Sequence, residues 1–267
     1  MRYLLAFILF YILSATGVNA NAKADFDFQY TKHRESFDEF VLYKKDYLTN
    51  PTLDNQQKAL LSAKQTTNTR ELTRASFAAY LRELILMNQL RGYQMADQLN
   101  ANLFAAQQFF LSESQKSLSL VTIADLDSFN AAYNLEYPKH ERFLKAGIVG
   151  HKLTRLKYFA LKQDESLQSL KAKIPSNVSV RVFERISGLE ADLKTIHTKI
   201  DNLSDFLLTE ESLDNTQSEV FFSSRIELLA EIRQLQLTWM DKLIDLDLNY
   251  AKIWDQQPRG PKTHRRL

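Results

Sequence analysis

There is no cysteine anywhere in the 267 residues. That removes disulfide staples, thiolate zinc sites, cysteine nucleophiles and a lipid-modified cysteine at a processed terminus. The 6 glycines and 5 prolines are too few for a turn-rich all-β fold. They also form no phosphate-cradling loop: G-x-x-x-x-G-K-[ST], G-x-G-x-x-G and G-x-S-x-G are all missing. Histidine occurs only at His33, His140, His151, His197 and His264. None sits in H-E-x-x-H, and no Glu is followed three residues later by His, the spacing of carboxylate di-iron bundles. The sequence therefore points to no metal or other cofactor and to a protein that is not an enzyme. Neither sign of charge dominates, with 34 Lys and Arg against 32 Asp and Glu. Nucleic acid is a poor partner for a chain without a positive field. With 45% apolar and 25% charged residues, the composition is that of a folded protein held by an apolar core.

The first residues form a pattern of their own. Met1-Arg2 is followed by no charge until Lys23, and Tyr3 to Leu13 is an almost unbroken apolar run. Small residues come next, with an A-x-A site at Ala20-Asn21-Ala22. This is the layout of a cleaved signal peptide over residues 1–22, and it predicts a periplasmic or secreted protein. The alternative, an uncleaved anchor, is disfavoured by Ser14, Thr16, Asn19 and Asn21 in the segment.

Beyond it, three- and four-residue apolar spacing recurs throughout, which predicts an all-α fold. The expected helices are about 26–48, 52–67, 69–115, one starting at Thr122-x-x-Asp125, one to Ile174, one to about Leu208 and one to Trp254. Pro51 is read as a first helical residue, and Asn68-x-x-Glu71 and Thr216-x-x-Glu219 as capping pairs. A bend is expected at Gly92, a break or kink at Tyr137-Pro138 and a turn at Pro175-Ser176-Asn177. The organisation is then a signal peptide (1–22), a helical domain (23–255) and a disordered basic tail (256–267).

The strongest pattern lies in the middle of the chain. Val149, Leu153, Leu156, Ala160, Gln163, Leu167, Leu170 and Ile174 alternate steps of four and three. Val182, Ile186, Leu189, Leu193, Ile196, Ile200, Leu203 and Leu207 repeat the series, and the two lists mirror each other about Val178. Such a seam suits an elongated bundle containing a long antiparallel coiled-coil hairpin at about 145–208, with arms roughly 37 Å long. Gln163, facing Leu193, is read as fixing the register. On the flanks, Asp164 is expected near Glu190 and Lys173 near Arg185, so other helices should cover part of the hairpin. The last helix carries one stripe of Leu228, Ile232, Leu235, Trp239 and Leu246, and a second of Leu229, Leu237, Met240 and Ile244. That is wide enough for two neighbours.

The candidate interaction residues are Phe159, Phe183 and Phe206 on the hairpin flank, and Arg259, Lys262, Arg265 and Arg266 in the tail. The tail has no acid and offers weak contact to anionic membrane lipid. Phe109-Phe110 and Phe221-Phe222 read as core aromatics, with a pocket wall as the alternative, while Glu136 and His140 read as surface polar residues and His151 and His197 as flank residues beside the seam. The function expected is that of an exported helical scaffold or adaptor binding a protein partner in the envelope or extracellular space. The alternative is a helical-bundle binding module, a sensor or chaperone for a small apolar or peptide ligand.

Overall fold

The computed structural model describes residues 20–87, 93–174, 179–208 and 215–255, with side chains at 21–87, 93–174, 179–208 and 223–249. These residues form six helices and no strand: α1 (Ala20–Thr49), α2 (Leu53–Leu86), α3 (Gln94–Leu118), α4 (Ile123–Lys173), α5 (Val180–Leu208) and α6 (Asn215–Asp255). Contacts divide the described residues into two compact units, one drawn from 1–154 with 207–222 and the other from 155–206 with 223–267. Residues 1–19 of the signal-peptide reading at 1–22, the bend at Gly92, the turn at 175–177, the aromatic pair Phe221-Phe222 and the basic tail lie outside the described residues or side chains. No described helix is long and apolar enough to cross a membrane.

Several predicted boundaries are corrected. The chain does not break at Asn68; α2 runs straight through it. Asn68 is no cap, because its Nδ2 donates to the carbonyl and Oγ of Ser114 on α3, at 3.0 and 2.8 Å. Pro51 precedes the helix, and Thr52 is the N-cap, with Oγ1 accepting from the Asn55 N–H at 3.2 Å. Thr122 and Asp125 do start α4: the Asp125 carboxylate accepts from the Val121 and Thr122 N–H groups, and Thr122 Oγ1 accepts from the Asp125 N–H. Pro138 does not divide α4. Pro138 and Asn134, whose carbonyl it cannot serve, are both exposed, so that carbonyl is not sealed off from solvent in the core.

In the first unit, α2 is the central helix. Apart from Glu71, Leu81 and Ile85, its buried positions are small or hydroxylated: Ser62, Ala63, Thr66, Thr67, Thr73, Ala75, Ser76 and Ala78. Such a surface lets α1 come close, and the hydroxyls reach across to it. Thr66 Oγ1 donates to the Ser36 carbonyl at 2.7 Å and Thr73 Oγ1 to the Gln29 carbonyl at 3.0 Å. Ser36 Oγ and Thr69 Oγ1 lie 2.6 Å apart. The opposite side of α2 meets α3 and α4 through larger groups, among them Leu81, Leu99, Leu103 and Phe110, each at most 2% exposed.

In the second unit, α5 buries every seam position from Val182 to Leu203, and α4 contributes buried Ala160, Gln163, Leu167 and Leu170. The flanking charges pair better than the mirror suggested. Asp164 meets His197 at 2.7 Å, Lys171 meets Glu190 at 2.5 Å, and Arg185 pairs with Asp245 of α6. Helix α6 buries Leu229, Ile232, Gln236, Trp239, Leu243 and Leu246, again at steps of three and four, and leaves Leu237 and Ile244 exposed. It reaches both neighbours through that single stripe. Trp239 Nε1 donates to the Leu189 carbonyl at 2.9 Å, Gln236 Nε2 to the Leu156 carbonyl at 2.8 Å, and Gln163 Nε2 to the Gln236 carbonyl at 3.1 Å. Gln163 therefore ties α4 to α6 instead of answering a residue on α5.

Candidate functional site

The inward face of α4 in the first unit is an aromatic stripe: Phe129, Tyr133, Tyr137 and His140, at helical spacing behind the Thr122–Asp125 cap. It packs against Phe109 and Phe110 of α3. Phe109 stacks on His140 with centroids 4.0 Å apart and rings 8° from parallel, and lies 5.7 Å from Tyr133. Tyr133 in turn stacks on Phe129 at 5.9 Å and on Tyr137 at 5.2 Å.

Toward the α3–α4 turn the two helices leave a cleft of about 570 Å³. Phe109, Leu120, Phe129 and Tyr133 supply its apolar wall, and Glu113, Lys116, Asp125 and Glu136 its charged rim. The Glu113 side chain is almost fully buried and bonds to the exposed Lys116 ammonium at 2.6 Å. Asp125 is held below its ordinary carboxylate value by the N–H groups of Thr122 and Val121 that cap α4.

Behind Tyr133 lies a buried charge. Glu71 of α2 has no exposed surface. Its carboxylate accepts from Arg70 Nε at 2.6 Å, from Arg74 Nη1 at 3.1 Å and from the Tyr133 hydroxyl at 2.9 Å. Arg74 also donates to Tyr133 and Tyr137, with its guanidinium 4.5 Å from the Tyr137 ring centre. Burial disfavours the Arg74 cation, and Glu71 with the two phenols more than offsets that, so its pKa rises. Burial, then the facing Glu71 carboxylate, push the Tyr133 phenol far above its ordinary 10.0. This network holds Tyr133 and so fixes the back of the cleft.

The sequence favours core packing for Phe109 and Phe110; Phe110 is fully buried, while Phe109 also lines the cleft. His140 is not a surface residue: it is 9% exposed, and its Nδ1 has no hydrogen-bond partner. Burial, followed by the charge of Lys139, lowers its pKa from the usual 6.5 against the opposing pull of Glu136 and Glu113. The folded state therefore resists protonation that the unfolded chain accepts. Stability should hold above pH 6.5 and fall as the pH drops through the folded value. Acid unfolding followed by circular dichroism should show His140→Phe flattening part of that fall; an unchanged slope would exclude His140 as its source.

Of the flank residues, Phe183 is 63% exposed, Phe159 is 36% exposed, and Phe206 is partly covered by the Arg225 guanidinium 3.8 Å from its ring centre. The structure brings none of them to the cleft wall. Among the described residues no group of three His, Asp or Glu is placed to hold a metal ion. Set beside known proteins, the chain matches no family model, no curated protein and no solved structure.

Proposed function

We propose that the chain is an exported, non-enzymatic helical scaffold or adaptor that binds a protein partner in the cell envelope. One observation carries this reading: large apolar side chains stand in water at the start of α5, with Val180 74% and Phe183 63% exposed beside buried Val182 and Ile186. Isolated exposed apolar residues are ordinary, but two together at a helix start leave a face for a partner helix. Export rests on the signal-peptide pattern at 1–22, and the basic tail would add weak contact to anionic lipid. In this proposal α4 and α5 form an antiparallel hairpin with the mirrored register, which the burial of the seam and the two flanking pairs, Asp164 with His197 and Lys171 with Glu190, support.

Cysteine pairs test the register, since the chain has no natural thiol. Cysteines replacing Leu167 and Leu189, or Leu170 and Ile186, should form a disulfide within one chain. Cysteines replacing Leu167 and Ile196, one heptad away, should not, and equal crosslinking of this control would overturn the register. The partner is tested with a photo-reactive residue at Phe183 in producing cells. A discrete adduct from position 183, missing when the probe replaces the exposed Lys194, is expected. The same adducts from both positions, or none from either, would remove the adaptor reading.

A second reading is favoured by the α3–α4 cleft: a binding module for a small ligand. Its volume falls in the range of small-molecule sites, and its aromatic wall is anchored from behind by Glu71 and the two arginines.

A further inference from the structure

We propose that the α3–α4 cleft takes a small organic ammonium ion with an apolar body; this rests on the binding-module reading and names its ligand class. The wall of Phe109, Leu120, Phe129 and Tyr133 suits an alkyl or aromatic body. Three of these four side chains are aromatic, and an aromatic ring can attract a cation that has shed water.

The rim decides the sign of the ligand. It holds three carboxylates, Glu113, Asp125 and Glu136, against the one ammonium of Lys116. Lys116 is occupied by Glu113. One oxygen of Asp125 takes the two capping N–H groups, which leaves the other for a ligand. Glu136 is exposed and makes no ion pair with any described residue. Arg70 and Arg74 approach the Tyr133 ring but do not line the cleft, and their charge is directed to Glu71. An anion here would meet uncompensated carboxylates. A neutral apolar molecule would strip water from Asp125 and Glu136 and return nothing to them. A cation with an apolar body answers both wall and rim.

The test uses the whole exported chain and three probes of one shape: hexylammonium, hexan-1-ol and hexanoate, titrated by ligand-observed NMR at low and high salt. Hexylammonium should bind about tenfold more tightly than either other probe, with the advantage shrinking in salt. Glu136→Gln should weaken it about threefold. Ala132→Phe, which fills the cleft from an exposed position without changing charge, should abolish it while the helical circular dichroism spectrum is kept. If hexan-1-ol binds equally well and Glu136→Gln has no effect, the ammonium assignment falls and the binding-module reading stands. If none of the three probes binds, both fall. Hexylammonium binding that survives Ala132→Phe would place the cation elsewhere and overturn the proposal.

Discussion

Replacing Glu71 by leucine is expected to destabilise the protein by about 2–3 kcal/mol, less than for a fully buried ion pair because Arg70 and Arg74 keep 33% and 26% of their side chains exposed. The carboxylate is fully buried and accepts from three groups on two helices: Arg70, Arg74 and the Tyr133 hydroxyl. Without it two half-buried guanidiniums lose their shared counter-ion, and one of them, Arg70, already has a buried Nη2 without a partner. Glu71→Gln should fall in between, since the amide oxygen still accepts but the charges are no longer balanced. Urea unfolding at neutral pH would measure these losses. The fourfold change Glu71→Leu, Arg70→Leu, Arg74→Leu, Tyr133→Phe should recover much of the stability, because apolar groups of similar shape can replace a complete polar set at little cost. If Glu71→Leu unfolds at the wild-type urea concentration, the network contributes nothing and the cleft's back wall is held by packing alone.

Glu71 also marks where the sequence stops being legible. An Asn followed three residues later by a Glu has the form of a capping pair, and nothing local distinguishes it from two polar residues reaching sideways out of a continuous helix. The difference lies with partners far along the chain: Ser114 for Asn68, and Tyr133 for Glu71. His140 was misread for a related reason. Pro138 suggests a broken helix, yet its missing hydrogen bond falls on the solvent side, and the inward stripe continues through it. The features that could be read were those set by local physics. Apolar spacing identified the helical class, the Thr122–Asp125 box started α4, and the repeating steps of α5 picked out positions that are buried from Val182 to Leu203. Phe109 could be read as a core aromatic, but its place in a cleft, with the opposing wall and the charged rim, depends on how α3 and α4 pack together.

Gly150→Val is expected to destabilise by about 3 kcal/mol, the upper end of the usual cost of overpacking a core. A Cβ at position 150 would lie 2.1 Å from Leu99 Cδ1, far inside any contact distance. A leucine tip can sometimes swing aside, but Leu99 is 0% exposed and so are Leu103 and Phe110 on the same helix. Gly147, one turn earlier on α4, is nearly as tight, its Cβ meeting Leu103 at 2.9 Å and Leu81 at 3.2 Å. These two glycines are where α4 lets α3 seat its leucines, so a branched side chain there must move α3 or leave Leu99 in a strained rotamer. Gly188 is the internal contrast. It lies within α5 with nothing within 4 Å of its Cβ position, and Gly188→Ala should stabilise by about 0.5–1 kcal/mol through helix propensity alone. Thermal unfolding of the two variants should thus move in opposite directions. Adding Leu99→Ala to Gly150→Val should restore part of the loss, because the smaller residue vacates the space the valine needs. A Gly150→Val protein that melts within a degree of wild type would mean that α3 and α4 do not approach as described, and the cleft built on their packing would have to be redrawn.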